Sequence, residues 1–300
     1  MIKSGELAIL LNSAGKRYLK KILKDDELHT SDGVVSMNDV LAAGFGGVVR
    51  SKQNAPFKIL CPTLYDLVKG VKRQTQIIYP KDIGYICMRL GVGNGRKIIE
   101  AGSGSGSLTL ALSWLSGESG HVYTYEAREE FYKLCGRNLE WAGVGHNVTQ
   151  FNRDIAEGFL QNDADALFLD VREPWAYLKN ALAAVKPGAS LGFLVPTVDQ
   201  VSRLLTEFEV LPIEDVEVSE ILVRGWKPIA DRLRPEDRMV SHTGFLIFAR
   251  YQESPEDWGE GLRLGTRERK QEAARQERLA KDSLDSEGSS ASEESSDSED

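Results

Sequence analysis

Alternate glycines stand in the run Glu100-Ala-Gly-Ser-Gly-Ser-Gly-Ser107. The run follows an apolar segment, Lys97–Ala101, that is typical of a strand, and it precedes Leu108–Leu112, which favours a helix. Glycine is needed where the backbone takes a positive φ or closely approaches a ligand. A strand, a glycine turn and a helix in this order predict a ligand-binding loop.

The spacing of the glycines indicates which ligand this loop could bind. A dinucleotide fingerprint would need its third glycine where Ser107 or Thr109 stands, and the Gly-Lys-Ser/Thr of a phosphate-binding loop is absent from the run. The remaining pattern, Glu-x-Gly-x-Gly-x-Gly, suits S-adenosylmethionine, which has no phosphate and needs backbone clearance beside its methionine and ribose. A flexible linker is the alternative, but apolar segments flank the run. We therefore predict that Gly102, Gly104 and Gly106 contact this cofactor.

Two acids follow the next two predicted strands. Glu126 ends the strand His121–Glu126, about 20 residues after the loop, where a carboxylate is placed to accept hydrogen bonds from ribose hydroxyls. Asp154 and Ile155 follow the strand Asn147–Asn152, where they are placed to flank an adenine ring. An exposed loop carboxylate is the alternative for Glu126. Position favours a functional role for Glu126 and leaves the role of Asp154 open.

Asp170 ends another predicted strand, Ala166–Asp170, four positions before the pair Pro174-Trp175. Ligands of open parallel sheets bind at the carboxyl ends of the strands, so we expect Asp170 to face the transferred methyl group. A carboxylate there can accept from the amine of an adenine whose ring nitrogen attacks the methyl group, and it can offset the developing positive charge. This chemistry needs no metal. A helix N-cap is the alternative for Asp170, and core packing is the favoured interpretation of Trp175.

The segment Arg73–Asp82 combines bases, amides and an aromatic residue. Tyr79 precedes Pro80, which biases it towards an extended conformation, and we predict that it lines the catalytic pocket. A structural Tyr-Pro turn is the alternative. Lys69 and Lys72 form a basic cluster with Arg73 that suits RNA phosphates, although scattered lysines are usually solvated surface.

The elements that must position these residues follow from periodicity. From about residue 80, strand-like segments alternate with helical ones, which predicts a parallel sheet with helices on both faces and an antiparallel pair at one edge. The predicted strands are Lys97–Ala101, His121–Glu126, Asn147–Asn152, Ala166–Asp170, Ser190–Val195, Val216–Leu222 and Gly244–Arg250. The predicted helices are Thr63–Val71, Ser107–Leu115, Glu129–Ala142, Pro174–Val185 and Asp199–Phe208.

Composition divides the chain into four predicted parts. Residues 1–61 carry short apolar runs between turns and predict a small β-rich domain, and residues 62–252 predict the catalytic α/β domain with an entry helix. Residues 253–281 predict a charged helical extension, and residues 282–300 a disordered acidic tail. The net charge of −8 belongs to that tail, because eight acids and no bases follow Lys281. A neutral body still permits a local basic face for nucleic acid.

Histidine and cysteine content argues against a metal or disulfide framework. The three cysteines, Cys61, Cys87 and Cys135, are far apart, and the four histidines are scattered. The sequence shows neither a membrane-length apolar stretch nor the layout of a secretory signal. We therefore predict a cytoplasmic protein without a membrane partner.

These features together resemble the tRNA (adenine-58-N1) methyltransferases, from about residue 1 to residue 250. The specific parts of the resemblance are Arg73-x-Thr-Gln-Ile-x-Tyr79 and Asp170-x-x-x-Pro-Trp175. The resemblance implies a class I S-adenosylmethionine-dependent methyltransferase, which is a Rossmann-like α/β fold with a seven-stranded sheet, after a small N-terminal β domain. It implies methyl transfer to N1 of adenine 58 in the T-loop of tRNA.

The resemblance also implies a set of site residues and partners. Asp170 is expected to contact both the cofactor and the target adenine, and the intact glycine loop looks like that of a catalytic subunit. Family members of the bacterial and archaeal type form homotetramers, and the compact N-terminal segment is similar to theirs. The implied cofactor contacts are Gln76, Ile78, Ser105, Gly106, Ser107, Glu126, Asp154, Ile155 and Asp170.

Two other functions remain open from the sequence. A methyltransferase that acts on a protein or a small molecule would share the glycine loop and Glu126, but it has less use for the Asp170 corner and the basic segment before it. A non-catalytic RNA-binding partner subunit is the other alternative. The complete glycine loop argues against that second alternative.

Overall fold

Residues 1–74 and 76–253, together with Pro255, are described by a computed structural model of the chain. The predicted helical extension at 253–281 and the predicted tail at 282–300 lie outside the described residues, apart from Glu253 and Pro255.

Strands and helices alternate along most of the described chain. The strands are β1 Leu7–Asn12, β2 Arg17–Lys21, β3 Glu27–Thr30, β4 Gly33–Ser36, β5 Val48–Arg50, β6 Pro56–Leu60, β7 Lys97–Ala101, β8 His121–Tyr125, β9 Val148–Phe151, β10 Ala164–Leu169, β11 Val185–Val195, β12 Ile213–Ser219, β13 Trp226–Lys227, β14 Arg234–Pro235 and β15 Phe245–Tyr251. The helices are α1 Met37–Ala43, α2 Leu64–Gly70, α3 Pro80–Arg89, α4 Ser107–Ser116, α5 Glu129–Ala142, α6 Leu178–Ala184 and α7 Val198–Phe208.

The central sheet has seven strands in the order β12-β15-β11-β10-β7-β8-β9. The strand pairs β9–β8, β8–β7, β7–β10 and β10–β11 are parallel. Strand β15 runs antiparallel to both β11 and β12. Residues 166–169 of β10 are all fully buried, as expected for a parallel strand covered on both faces. The predicted fold class, a Rossmann-like α/β sheet of seven strands, is confirmed, and so is the antiparallel pair at its edge.

Neighbouring residues of each central strand enter different cores. Ile98 packs into a cluster built with helices α2 to α5, whereas Ile99 packs into a cluster built with α6 and α7. Successive side chains of a strand point to opposite faces, so the two clusters cover the two faces of the sheet. The sheet is therefore fixed from both sides, and the ends of its strands are rigid attachment points.

Residues 1–60 have a sheet and a core of their own. Strands β2-β1-β6-β5 form an antiparallel sheet, and β3 pairs with β4 in a hairpin. Alternate residues of β1 and β6, such as Leu10 and Ile59, are fully buried in a cluster of ten residues from this segment. Leu7 instead belongs to the core of the larger sheet. The domain boundary at residue 61 stays a prediction.

Three helical features differ from the expectations. Helix α3 was not predicted, because its first residues belong to the segment Arg73–Asp82, whose composition suggested a pocket lining. Pro80 occupies the first turn of the helix, and Tyr79 is its N-cap. Helix α1 was not predicted either. The helix expected at 174–185 is wrong in detail, since Pro174–Tyr177 is a 3-10 turn and α6 follows it.

The turn after β7 is held between the ends of two neighbouring strands. The backbone nitrogen of Gly102 donates to the carbonyl of Tyr125 (2.9 Å), and the nitrogen of Asp170 donates to the carbonyl of Ala101 (2.9 Å). Gly102 has a φ of 90°, and a Cβ added to it would lie 2.0 Å from the carbonyl oxygen of Asp170. Only glycine fits this approach.

We expect Gly102→Ala to lower the free energy of unfolding by about 1–3 kcal/mol more than Gly143→Ala, because overpacking adds to the strain of a positive φ. Gly143 also has a positive φ (71°), but the space around its missing Cβ is open. Urea unfolding followed by circular dichroism measures both losses. Equal losses would mean that the contact with Asp170 does not constrain the loop.

Candidate active site

A cavity of about 450 Å³ lies where β7, β8 and β10 end. The carboxyl ends of parallel strands meet at one edge of a sheet, which is where ligands of such folds bind. Seven of the residues predicted for the site line this cavity. They are Gln76, Gly102, Gly104, Glu126, Asp154, Ile155 and Asp170.

Glu126 follows β8 directly and is buried at the cavity wall. Its Oε2 accepts from the backbone nitrogen of Gly104 (3.0 Å), and its Oε1 accepts from the backbone nitrogen of Arg128 (3.1 Å). The Nε of Arg128 lies 3.4 Å from the same Oε1. Glu126 thus fixes the glycine loop as well as facing the cavity, and these bonds leave further acceptor capacity on its two oxygens.

Asp170 follows β10 and is half-buried in the cavity wall. Burial raises the pKa of its carboxyl to about 7, and repulsion by Glu126 adds to the rise. A raised pKa means that the neutral form is favoured below about pH 7. A positively charged group in the cavity would favour the carboxylate instead, because opposite charges nearby stabilise ionisation.

Glu100 is a buried acid one residue before Ala101, which lines the cavity, and the sequence predicted no separate role for it. It lies at the end of β7, and its Oε2 accepts from the hydroxyls of Thr109 (2.6 Å) and Thr124 (2.7 Å). Burial raises the pKa of Glu100 to about 7, against the lowering effect of both hydroxyls. The bonds join β7 to α4 and β8. An acid inside an apolar strand was the signal available in the sequence.

Asp154 and Ile155 lie at the far side of the cavity. The Oδ1 of Asp154 accepts from the backbone nitrogen of Ala156 (2.9 Å) and so caps the 3-10 turn Ile155–Glu157. The side chain of Ile155 is buried, whereas Gln76 across the cavity is exposed. Asp154 therefore has a structural role in the turn in addition to its place in the cavity lining.

Four of the residues implied as cofactor contacts do not line this cavity: Ile78, Ser105, Gly106 and Ser107. A Cβ added to Gly106 would lie 2.7 Å from the Sγ of Cys135, so this glycine permits close packing against α5. The hydroxyl of Ser105 is buried and has no hydrogen-bond partner among the described residues. A buried hydroxyl in the glycine loop therefore remains available to a ligand.

Tyr79 lines a second cavity, of about 720 Å³, and not the one that contains Asp170. Its carbonyl accepts from the backbone nitrogens of Asp82 and Ile83 (2.9 Å each) at the start of α3. Gln76 lines the first cavity, and Ile77 and Tyr79 line the second. The segment from Gln76 to Tyr79 thus forms part of both linings.

The corner after Asp170 is fixed by packing. Pro174 is buried at the start of its 3-10 turn, and Trp175 packs against the core beside α6 and α7. The guanidinium of Arg203 lies 4.4 Å from the centroid of the Trp175 ring. The interpretation of Trp175 as a packing residue is confirmed.

Within residues 1–74, 76–253 and 255, no group of three or more His, Cys, Asp or Glu residues could hold a metal ion. None of the helices described there has the length and apolar character needed to cross a bilayer. All three cysteines are unpaired, and burial raises the pKa of Cys87 and Cys135 to about 12. The charged side chains that line the cavity are carboxylates and arginines.

The fold and the cavity can be compared with solved structures. A SAM-dependent O-methyltransferase from Thermotoga maritima has a TM-score of 0.80 and 41% identity, over 85% of this chain and 96% of its own. The tRNA (m1A58) methyltransferase TrmI from Aquifex aeolicus has a TM-score of 0.74 and 38% identity, over 84% of this chain and 99% of its own.

Relatives of known name extend the comparison. The tRNA (adenine(57)-N(1)/adenine(58)-N(1))-methyltransferase TrmI of Methanocaldococcus jannaschii is 32% identical over 277 residues, which cover 83% of this chain and 96% of the relative. Residues 57–234 match the family described as the tRNA methyltransferase complex GCD14 subunit. That match contains the glycine loop, Glu126 and Asp170. The chain therefore belongs to the GCD14 family of tRNA methyltransferases.

Proposed function

We propose that this protein transfers the methyl group of S-adenosylmethionine to N1 of adenine 58 in the T-loop of tRNA. The observation that carries the proposal is the meeting of Asp170, Glu126 and the glycine loop in one cavity at the ends of parallel strands. The relatives from Methanocaldococcus jannaschii and Aquifex aeolicus are named for this reaction, and the alignments include nearly their whole length.

The residues of the cavity suit S-adenosylmethionine. A volume of about 450 Å³ lies in the range of small-molecule sites. We propose that Glu126 accepts hydrogen bonds from the ribose hydroxyls, and that Asp154 and Ile155 flank the adenine ring of the cofactor. The backbone of the glycine loop and Gln76 are proposed to contact the methionine end of the cofactor. The buried hydroxyl of Ser105, which has no partner among the described residues, supports a ligand beside that loop. Contacts from Ile78, Gly106 and Ser107 stay predictions.

Asp170 is the residue to which we assign the acceptor chemistry. When bound, S-adenosylmethionine supplies an electrophilic methyl group on a positively charged sulfur. The carboxylate of Asp170 accepts from the exocyclic amine of the target adenine and so orients the N1 lone pair towards the methyl carbon. It offsets the positive charge that the adenine gains as the new bond forms. The same carboxylate is placed to receive the proton that the product base loses.

Tyr79 is proposed as a catalytic-site residue that contacts the target base. An adenine in a folded T-loop must be extruded before its N1 can be reached. Tyr79 is half-buried in the second cavity, three residues along the chain from Gln76 in the first. An aromatic ring at this junction is placed to stack on the extruded adenine.

A different acceptor is the second candidate. The structure from Thermotoga maritima, named as an O-methyltransferase, shares more identity with this chain than the Aquifex aeolicus enzyme does. A protein or small molecule with a hydroxyl group would then be methylated. Transfer of labelled methyl to unmodified tRNA, to tRNA with guanosine at position 58, and to protein extracts separates the candidates. Transfer that persists without adenine 58 would overturn the proposed acceptor.

A homotetramer in the cytoplasm is the assembly that we propose with this function. The support is the likeness of the N-terminal segment to bacterial and archaeal members and the stretch between β12 and β15, which exposes several apolar side chains. Large apolar side chains of that stretch are more than half exposed, namely Leu222, Val223, Trp226, Ile229 and Leu233. Light scattering on the purified protein measures the assembly, and a monomer at micromolar concentration would contradict it.

We expect Asp170→Ala to lower methyl transfer to tRNA by about 100-fold or more and the affinity for S-adenosylmethionine by much less, because most of the loss concerns charge stabilisation during transfer. Initial rates with labelled cofactor and calorimetry of cofactor binding measure the two effects. Asp163→Asn is the matched control, because Asp163 pairs with Lys97 at the opposite end of the sheet. Unchanged turnover in Asp170→Ala would refute the catalytic assignment.

The pH dependence of the rate gives a separate prediction. Because the pKa of Asp170 is raised to about 7, its carboxyl is protonated and inactive at lower pH, so kcat/KM is expected to rise with pH through a midpoint near that value. The positive charge of the bound cofactor lowers the pKa, so the kcat profile should rise at a lower pH than the kcat/KM profile. Asp170→Asn should lack the step. A flat wild-type profile between about pH 5.5 and 8.5 would contradict the role of Asp170.

A further inference from the structure

Two cavities outside the candidate active site meet at one pair of side chains. Tyr65 and Lys69 line both the second cavity, of about 720 Å³, and a third one of about 690 Å³. The third cavity also contacts β1 and β2 through Ile9 and Leu19. We call the joined cavities the Tyr65–Lys69 groove. It runs from the N-terminal sheet across α2 to Tyr79.

We propose that the Tyr65–Lys69 groove holds the RNA strand beside the target nucleotide, with Tyr65 stacking on a base and Lys69 and Arg73 contacting phosphates. The inference rests on the RNA substrate of the proposed function. It adds a binding surface that lies outside the cavity of Asp170.

The exposed aromatic ring is the first support. Tyr65 is 56% exposed on α2, and the Nζ of Lys69, one turn later, lies 5.3 Å from its ring centroid. An exposed ring is a platform on which any base can stack, and an adjacent cation is placed for the phosphate of the same nucleotide. The pair thus offers a ring for a base and a cation for a phosphate, which are the two contacts that a single-stranded RNA segment requires.

The charge of the groove is the second support. Lys69, Arg73 and Arg238 line it, and none of the three forms an ion pair with any of the described residues. The acids of the groove are Asp66, which pairs with Arg17 (2.7 Å), caps α2 and lies near the charge of Lys69, and Glu236. Cations therefore outnumber acids in the groove, which favours a polyanion.

The position relative to Asp170 is the third support. Gln76 lines the cavity of Asp170, and Tyr79, three residues later, lines the groove. Three residues span at most about 11 Å. Consecutive nucleotides of one RNA strand can therefore occupy the groove and reach the catalytic cavity together.

The double variant Tyr65→Leu with Lys69→Gln tests the proposal, because leucine keeps apolar bulk but cannot stack. We expect the KM for an unmodified tRNA transcript to rise about ten-fold or more. The kcat at saturating tRNA and the calorimetric affinity for S-adenosylmethionine should stay at their wild-type values. Tyr65→Phe should keep the wild-type KM, and Lys69→Gln alone should reduce the salt dependence of tRNA binding by about one phosphate contact.

Lys179→Gln is the matched control, because α6 lies on the opposite face of the sheet from α2. A wild-type KM in the double variant, or an equal rise in Lys179→Gln, would overturn the proposal. A changed mass in light scattering with an unchanged KM would assign the groove to a subunit contact instead. A wild-type protein that methylates no tRNA refutes the proposed function, whereas methylation with a groove-independent KM refutes only this inference.

Discussion

Three carboxylates at the ends of three adjacent strands are the constraint on which the rest of the site depends. Glu100, Glu126 and Asp170 end or follow β7, β8 and β10, and burial raises the pKa of Glu100 and Asp170 to about 7. Glu126 accepts from two backbone N–H groups. Like charges held close together away from water raise one another's pKa. The sheet therefore brings two of these carboxyl groups, those of Glu126 and Asp170, into the wall of one cavity that three arginines also line.

The backbone between these acids leaves little room for substitutions. The nitrogen of Gly102 is bonded to the end of β8, and its Cα lies against the carbonyl that follows β10. Gly104 is bonded to Glu126. Because the strand ends are anchored by a core on each face, a change in one acid is transmitted to the loop and to its neighbours. Binding and folding thus share the same few contacts.

The sequence predicted the central strands and the cavity because both leave local patterns. Buried parallel strands such as β10 are short apolar runs, and the acids directly follow those runs. Helix α3 was not predicted, because Pro80 stands in its first turn and the segment around it combines basic, amide and aromatic residues that are typical of a pocket lining. The cavity lined by Tyr79, the burial of Ser105 and the role of Glu100 depend on contacts between distant segments, such as Glu100 with Thr124, which sequence spacing does not report. Fold likeness also leaves the acceptor open, because one fold can carry many different activities.

The place of β15 in the sheet has a consequence for synthesis of the chain. Of the strands that the structure describes it is the last to leave the ribosome, yet it lies between β11 and β12. Until Tyr251 has emerged, β11 presents a bare row of backbone donors and acceptors, and β12 has nothing to pair with. A nascent or prematurely terminated chain would therefore display a long apolar edge prone to joining other unfinished chains. The nascent chain should need chaperones most just before the seven residues of β15 emerge from the ribosome.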